Sequence, residues 1–306
     1  MTGEVSASRH LPRLYTAGTV PIAHLAFEFD PLLRLGDSIV VRWQTVALAA
    51  LILLCLGAAG VAARRAELRS DDLLYIVIGA VPGAVVGGRL GDLLLHPEAY
   101  GAGPLALIDP VVGSLELGLA VVGGVASAAY VGSLLGAPVG RWAHLLAVPI
   151  LLAVGGGKLT MVAGGSGQGL PLDAAWATAF FGPGPWGSLA ADLPSHPAQA
   201  YEGIATLALA LVLLAAQARG AFRAFDGRLL LVALAGWVIV RAIVSTAWRD
   251  PAVVGPLPAG GVLALAIAAV ALVVLVVANV ARARAAARAA AAADPAWPDP
   301  EARPQF

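Results

Sequence analysis

Residues Leu73–Leu95 read LLYIVIGAVPGAVVGGRLGDLLL, an apolar run interrupted near its end by Arg89 and Asp92. A bilayer hydrocarbon core about 30 Å thick is crossed by about 20 helical residues at 1.5 Å each, so this run is long enough to span. Apolar runs of similar length recur at 39–62, 112–135, 143–164, 203–217, 229–248 and 260–280. With 59% hydrophobic residues, 12% charged residues and a mean hydropathy of +0.84, they exclude a soluble domain. The pattern predicts an all-α polytopic membrane protein of seven transmembrane helices.

The formal net charge of zero conceals an asymmetry along the chain. Arg64, Arg65 and Arg69 follow the first run, Arg141 the third, Arg219, Arg223 and Arg228 the fifth, and Arg282, Arg284 and Arg288 the seventh. The positive-inside rule makes these connections cytoplasmic, with the N-terminus outside and the C-terminus cytoplasmic. The chain divides into an external N-terminal segment at 1–38, a seven-span membrane domain at 39–280 with an external region at 165–202, and an Ala/Arg/Pro-rich cytoplasmic tail at 281–306. The tail is expected to begin as a helical extension and end in disorder around Pro295, Pro298, Pro300 and Pro304. The N-terminus, with Arg9, His10, Pro12 and Arg13, has no compact apolar core before a small-residue cleavage site, so no removable signal peptide is expected. Cys55 is the single cysteine, which excludes a disulfide framework and a cysteine-based metal site. Glycines at 79, 83, 87, 88, 91, 123, 124 and 155–157 suit close helix packing in a bilayer.

Arg89, the only lysine Lys158, and Arg241 lie inside apolar runs. A cation at the bilayer centre costs about 2.5–3.5 kcal/mol on insertion scales, so these three are expected to face a polar interior. Measured from the cytoplasmic ends of their runs they lie about 24, 22 and 18 Å along, all in the outer half. Arg42, Arg249, Asp92, Glu116 and Glu202 fall at or above that level. Cations outnumber carboxylates in this set, and the planar guanidinium fork matches a phosphate diester, which makes a phospholipid headgroup the natural ligand. The competing expectation is neutralisation alone, with Arg89 paired to Asp92 or Glu116 and Arg241 to Glu202, and Lys158 left without a partner.

The segment Ser195-His196-Pro197-Ala198-Gln199-Ala200-Tyr201-Glu202 suits a helix start, with Ser195 as N-cap and Pro197 in the first turn. Helical spacing would put His196, Gln199 and Glu202 on one face. Upstream, Trp176, Phe180, Phe181 and Trp186 suit an aromatic belt at the outer interface.

From Phe29-Asp30-Pro31 to about residue 265 the chain resembles the bacterial prolipoprotein diacylglyceryl transferases, which have seven spans, an external N-terminus and a cytoplasmic C-terminus. The likeness rests on the spacing from Asp30-Pro31 to Trp43, on Leu73-Leu74-Tyr75, and on Gly87-Gly88-Arg89-Leu90-Gly91, similar to a G-G-R-hydrophobic-G run. It rests further on His196-Pro197-Ala198-Gln199-Ala200-Tyr201-Glu202, similar to H-P-S/T-Q-hydrophobic-Y-E, and on Gly227 with Arg241 in the sixth span. The chain also departs from the family. Its S-F-H-G-G motif aligns with Ala120-Val121-Val122-Gly123-Gly124, which puts Val122 at the histidine. G-R-x-G-N becomes Gly157-Lys158-Leu159-Thr160-Met161, and Gly164–Gly169 lacks the N-G-E carboxylate. Ser245 replaces a glutamate, the next arginine is displaced by one residue to Arg249, and Gln44 replaces an aromatic.

The resemblance implies transfer of the diacylglyceryl group of phosphatidylglycerol to the lipobox cysteine thiol of a preprolipoprotein, with release of glycerol phosphate. Such a reaction needs a thiolate from a thiol of pKa about 8.5, and cations around the departing phosphate. The catalytic candidates are His196, Lys158, Arg241 and Glu202; with Val122 in the histidine's place, His196 or Glu202 is the candidate base, unless lipid-bound cations alone lower the thiol pKa enough. The phospholipid-binding candidates are Arg89, Lys158, Arg241, Arg249, Gln199, Tyr201 and Arg42. The implied partners are phosphatidylglycerol, a preprolipoprotein signal peptide and the lipid bilayer of the bacterial cytoplasmic (inner) membrane, with no cofactor, metal or nucleic acid. Two other readings are a catalytically silent paralogue that binds anionic phospholipid or signal peptide, and a transporter. A transporter would want polar residues across the whole depth, whereas the cytoplasmic halves of the runs are almost wholly apolar.

Overall fold

A computed structural model of the chain describes residues 24–36, 38–101, 103–109 and 111–293. Its helices are α1 (Trp43–Arg65), α2 (Ser70–Leu95), α3 (Leu117–Leu134), α4 (Val139–Thr160), α5 (Ala198–Ala218), α6 (Arg228–Ser245) and α7 (Ala259–Ala293). All seven are long and apolar enough to cross a membrane. The chain is thus a mostly helical, multi-pass membrane protein.

Large apolar side chains such as Leu53, Leu54, Ile78, Val86, Ile204, Leu211 and Val273 stay exposed on the outside of the bundle. In water that surface would be a liability; against hydrocarbon it is the expected one. Helix α6 is the exception, with 61% of its span buried against 17% for α1, and it forms the axis of the bundle. Trp237 and Leu229 on α6, both 0% exposed, anchor a core that joins Ala147 and Leu151 of α4, Ala210 and Leu213 of α5, and Ala264 and Ala268 of α7.

Bilayer helices approach closely where small residues meet, and two such contacts place the polar centre. On α2 and α3, Gly83 and Gly123 face each other so closely that a side chain at either would strike the other's backbone carbonyl. On α4 and α5, a Cβ at Gly203 would lie 2.9 Å from the Gly155 carbonyl oxygen. Three residues beyond Gly155 is Lys158, and one residue before Gly203 is Glu202.

One end of the bundle carries short strands: β1 (Leu25–Glu28), β2 (Leu32–Leu35), β3 (Ile39–Arg42), β4 (Thr178–Phe181), β5 (Ala252–Val254) and β6 (Leu257–Pro258). β1 pairs in parallel with β4, while β2–β3 and β5–β6 are antiparallel hairpins. Residues 39–42, expected within the first span, form β3, and 112–116, expected in the third, form a connection that ends on the helix-capping Glu116. The expected aromatic belt is instead partly a small core: Phe180 is 1% exposed and sits between Phe27 and Trp186, with ring centroids at 5.2 and 5.4 Å. Trp176 remains exposed.

At the other end, α7 continues through 281–293, so the expected helical extension is present. Arg282 pairs with Asp226, and Arg228 bonds both Asp226, at 2.8 Å, and Asn279, at 3.1 Å, tying α7 to the start of α6. The proline-bearing end of the tail and the 1–23 segment, on which the signal-peptide expectation falls, lie outside the described residues.

Candidate functional site

The close α4–α5 contact sets Lys158 Nζ 2.9 Å from Glu202 Oε2. From the bundle axis, Arg241 reaches the same carboxylate through Nη1, at 3.2 Å to Oε1, and reaches Glu116 Oε1 through Nη2 at 3.1 Å. Glu116 is fixed by its own local geometry. As N-cap of α3 it accepts from the Gly118 and Leu119 amides at 2.8 and 2.7 Å, satisfying two of the donors that every helix start leaves over. Four helices therefore contribute to one ion chain: Glu116, Arg241, Glu202 and Lys158.

Glu202 is 1% exposed and Arg241 7%, so neither charge is solvated by bulk water. Removing one partner from a buried pair of this kind costs about 3–5 kcal/mol, because the other charge is left uncompensated. Trp248, just past the end of α6, covers the cations, with its ring centroid 4.6 Å from the Arg241 guanidinium carbon and 6.0 Å from Lys158 Nζ. Such contacts contribute about 0.5–2 kcal/mol each.

Beside the ion chain lies a cavity of about 250 Å³ lined by Lys158, Gln199, Glu202, Arg241, Trp248 and Arg249, together with Met161, Gly167, Gln168 and Asp250. Gln199 is 2% exposed, and neither its amide oxygen nor its amide nitrogen has a hydrogen-bond partner among the described residues. Arg241 Nε is also unpartnered there. A buried amide left open on both atoms is costly, at about 1–3 kcal/mol per group, and is rare in a settled interior. This arrangement offers one acceptor and several donors to a polar guest.

The remaining candidates fall in different places. Arg249 lines the cavity, yet its guanidinium is taken up by the Gly169 carbonyl at 2.7 Å, the Leu189 carbonyl, and Ser195 Oγ at 3.0 Å. It pins the 165–197 segment to the end of α6. Arg89 bonds the Val112 and Asp109 carbonyls and does not line the cavity. It pairs with neither Asp92 nor Glu116, contrary to the neutralisation expected from sequence. Arg42, at the end of β3, lies outside the cavity as well.

His196 precedes α5 rather than sharing its face. Its Nδ1 lies 3.4 Å from Tyr201 Oη, which accepts from Trp176 Nε1 at 3.0 Å, so His196 and Tyr201 form a satellite cluster away from the cavity lining. Ser195 does not cap α5 as expected, since its hydroxyl donates to the Leu193 carbonyl and Pro197 holds the cap position. Lys158, expected to lack a partner, has Glu202.

Within the ion chain the charges balance, and the cavity lining keeps one cation more than carboxylates. Lys158 and Arg241 are matched by Glu202 and Glu116, and Arg249 is accompanied by Asp250.

Sequence reading passed over Trp248 and Gln168. Trp248 lies seven residues after Arg241, two helical turns on, which was the available signal. Gln168 holds the Thr178 carbonyl at 2.8 Å and the Ala191 carbonyl at 3.3 Å and carried no such signal. The departures at Gln44 and Ser245 also acquire reasons. Gln44 Oε1 accepts from Ser166 Oγ at 3.0 Å, joining α1 to the segment that follows α4. Ser245, 0% exposed, lies against Gly261 of α7 where a glutamate would have no room. Val122 packs against the apolar core.

A second carboxylate network stands close by. Asp92, 3% exposed, accepts from Tyr100 Oη at 2.7 Å, from the Ser114 amide and hydroxyl at 2.8 Å each, and lies 3.2 Å from His96 Nδ1. Its acceptance of the phenol hydrogen holds Tyr100 above the ordinary tyrosine pKa.

A family model described as prolipoprotein diacylglyceryl transferase matches residues 31–277 of this chain. Two proteins named phosphatidylglycerol–prolipoprotein diacylglyceryl transferase, from Trichormus variabilis and a Nostoc species, are each 26% identical to it over 257 residues. Those alignments cover 80% of this chain and 88% of each relative.

Proposed function

The chain belongs to the prolipoprotein diacylglyceryl transferase family, and from that premise we propose that it moves the diacylglyceryl group of phosphatidylglycerol onto the lipobox cysteine of prolipoproteins. The observation that carries this reading is the ion chain Lys158–Glu202–Arg241–Glu116 beside a cavity in which the Gln199 amide is unpartnered. The site lies at the strand-bearing end of the bundle, opposite the arginine-rich connections. The positive-inside rule supports placing it in the outer half of a bacterial inner membrane, with the N-terminus outside.

In the step proposed, the cysteine sulfur forms a bond to the terminal glyceryl carbon of the diacylglycerol unit, and the bond from that carbon to the phosphate oxygen breaks. Glycerol phosphate leaves with the electron pair. The thiol proton goes to Glu202, the carboxylate that lines the cavity; His196, in its satellite cluster, is the weaker candidate because it lies outside that lining.

The neutrality of the resting cluster then has a use. Two cations face two carboxylates before reaction. Once Glu202 is protonated, Lys158 and Arg241 face Glu116 alone, and one unit of positive charge appears as the phosphate gains its second negative charge. Electrostatic stabilisation that appears with the developing charge favours the transition state over the ground state. Gln199 and the Arg241 Nε supply hydrogen bonds to the headgroup.

The test is reconstitution of the purified chain with phosphatidylglycerol and a peptide bearing one lipobox cysteine. A peptide mass increase of one diacylglyceryl group is expected, formed about 10²–10³-fold more slowly with Lys158→Ala. Phospholipid binding without any mass increase from the native chain would replace this reading with that of a silent lipid-binding paralogue, which Val122 in the family histidine's position specifically favours.

A further inference from the structure

At the opposite end of the bundle, α1, α4 and α5 diverge around a second cavity of about 470 Å³ that shares no lining residue with the first. Ala58 and Ala62 of α1, Val148 and Leu152 of α4 and Leu214 of α5 make its walls apolar; the alanines are what leave the space. One end is polar, where Arg141, His144 and Gln217 line it. His144 is 7% exposed, its ring lies 4.4 Å from that of Phe225, and its Nδ1 has no partner among the described residues. Arg141 donates to the Ala66 carbonyl at 2.5 Å and forms no ion pair among the described residues. Its neighbours at this end of the bundle include Arg64, Arg65 and Arg69.

An apolar slot closed by an unpaired cation and an unpartnered buried imidazole nitrogen has the chemistry of an amphiphile site: hydrocarbon along the alanine wall and an anion at the polar end. A fully apolar guest would leave His144 Nδ1 unsatisfied, and a free anion would leave the slot empty. We propose that this cavity binds one anionic phospholipid of the leaflet at the arginine-rich end, its phosphate at Arg141 and His144 and the upper part of one acyl chain along α4 from Leu145 to Leu152. Along α4, His144 is about 21 Å from Lys158, so the site is separate from the transfer centre and does not depend on the transferase reading.

Native mass spectrometry of the delipidated full chain, titrated with dioleoylphosphatidylglycerol in the absence of any thiol acceptor, reads the number of lipids retained. The native chain is expected to hold two. Arg141→Ala/His144→Leu, which removes the polar end, and Ala62→Phe, which fills the slot, are each expected to weaken one equivalent by about tenfold or more, with the other unchanged. Monodisperse elution and a thermal midpoint close to that of the native chain confirm that these variants fold. Dioleoylphosphatidylcholine is expected not to displace the lipid that these substitutions remove. Unaltered retention in both variants overturns the proposal, as does equal competition by phosphatidylcholine, which would mean a plain acyl slot, or displacement by inorganic phosphate, which would mean an anion site.

Discussion

Asp92 and Glu202 are both buried carboxylates at the same end of the bundle, and they are furnished in opposite ways. Asp92 is enclosed by Tyr100, Ser114 and His96, all from the α2–α3 connection or the end of α2 itself. Its lone pairs are filled and no ligand could add to it. Glu202 is held by two cations from two other helices and faces a cavity whose wall contains an open amide. The first network closes a loop. The second is left incomplete, and an incomplete buried network is tolerated only where something else completes it.

That contrast is broken or sharpened most strongly at Glu202. Glu202→Gln keeps the shape of the site and removes the proton acceptor, so transfer is expected to fall about 10²–10⁴-fold, the range of general-base contributions. Phosphatidylglycerol binding should hold or tighten, since the resting cluster gains one net positive charge. Single-turnover mass spectrometry of the acceptor peptide beside a lipid-binding titration reads both, and a parallel loss of binding and transfer would refute the base assignment.

Lys158→Ala comes next. It leaves Glu202 paired to Arg241 but removes half of the phosphate-facing charge, for an expected loss of about 10²–10³-fold in transfer. Here binding and rate should fall together, the opposite of Glu202→Gln. Lys158→Arg restores the charge with a longer, forked donor and is expected to recover most of the activity.

Gln199→Leu removes both open polar atoms at once. Because the amide has no protein partner to orphan, the variant is expected to fold as well as the native chain and to raise the phosphatidylglycerol KM about tenfold, the effect of one lost hydrogen bond to a charged group. Unchanged KM would mean that the amide does not meet the headgroup.

Helix number was legible in the sequence because length and hydropathy are local properties. So was the convergence of Arg241 with Glu202, which follows from their matching heights on adjacent spans. What sequence could not supply was lateral direction. Arg89, Lys158, Arg241 and Arg249 were expected at one depth, yet Arg89 turns to the carbonyls of Asp109 and Val112, and Arg249 to those of Gly169 and Leu189. Whether an arginine meets a ligand or a loop depends on which backbone carbonyls the connecting segments leave unpaired, and that is set only once the segments fold. The expected shared face of His196 and Glu202 is missing for a related reason. Helical spacing linked His196 to Glu202, but the helix begins at Ala198, so the spacing does not apply to it.

The smallest effect on chemistry belongs to the other half of the comparison. Asp92→Asn can keep a carbonyl oxygen for the Tyr100 hydroxyl and the Ser114 amide, which share Oδ2, but its NH2 then replaces Oδ1, so the Ser114 hydroxyl loses its acceptor and the connection between α2 and α3 is held less firmly. Stability is expected to fall by about 0.5–1.5 kcal/mol, the net contribution of one hydrogen bond. It would appear as a lower thermal midpoint of the detergent-solubilised protein. Transfer per folded molecule should stay within about twofold of native, because Asp92 touches no group that lines the cavity. If instead Asp92→Asn abolished transfer in fully folded protein, the distinction between a filled carboxylate and an open one would fail as a guide to the site. The α2–α3 connection carrying Arg89 would then have to be placed in the reaction.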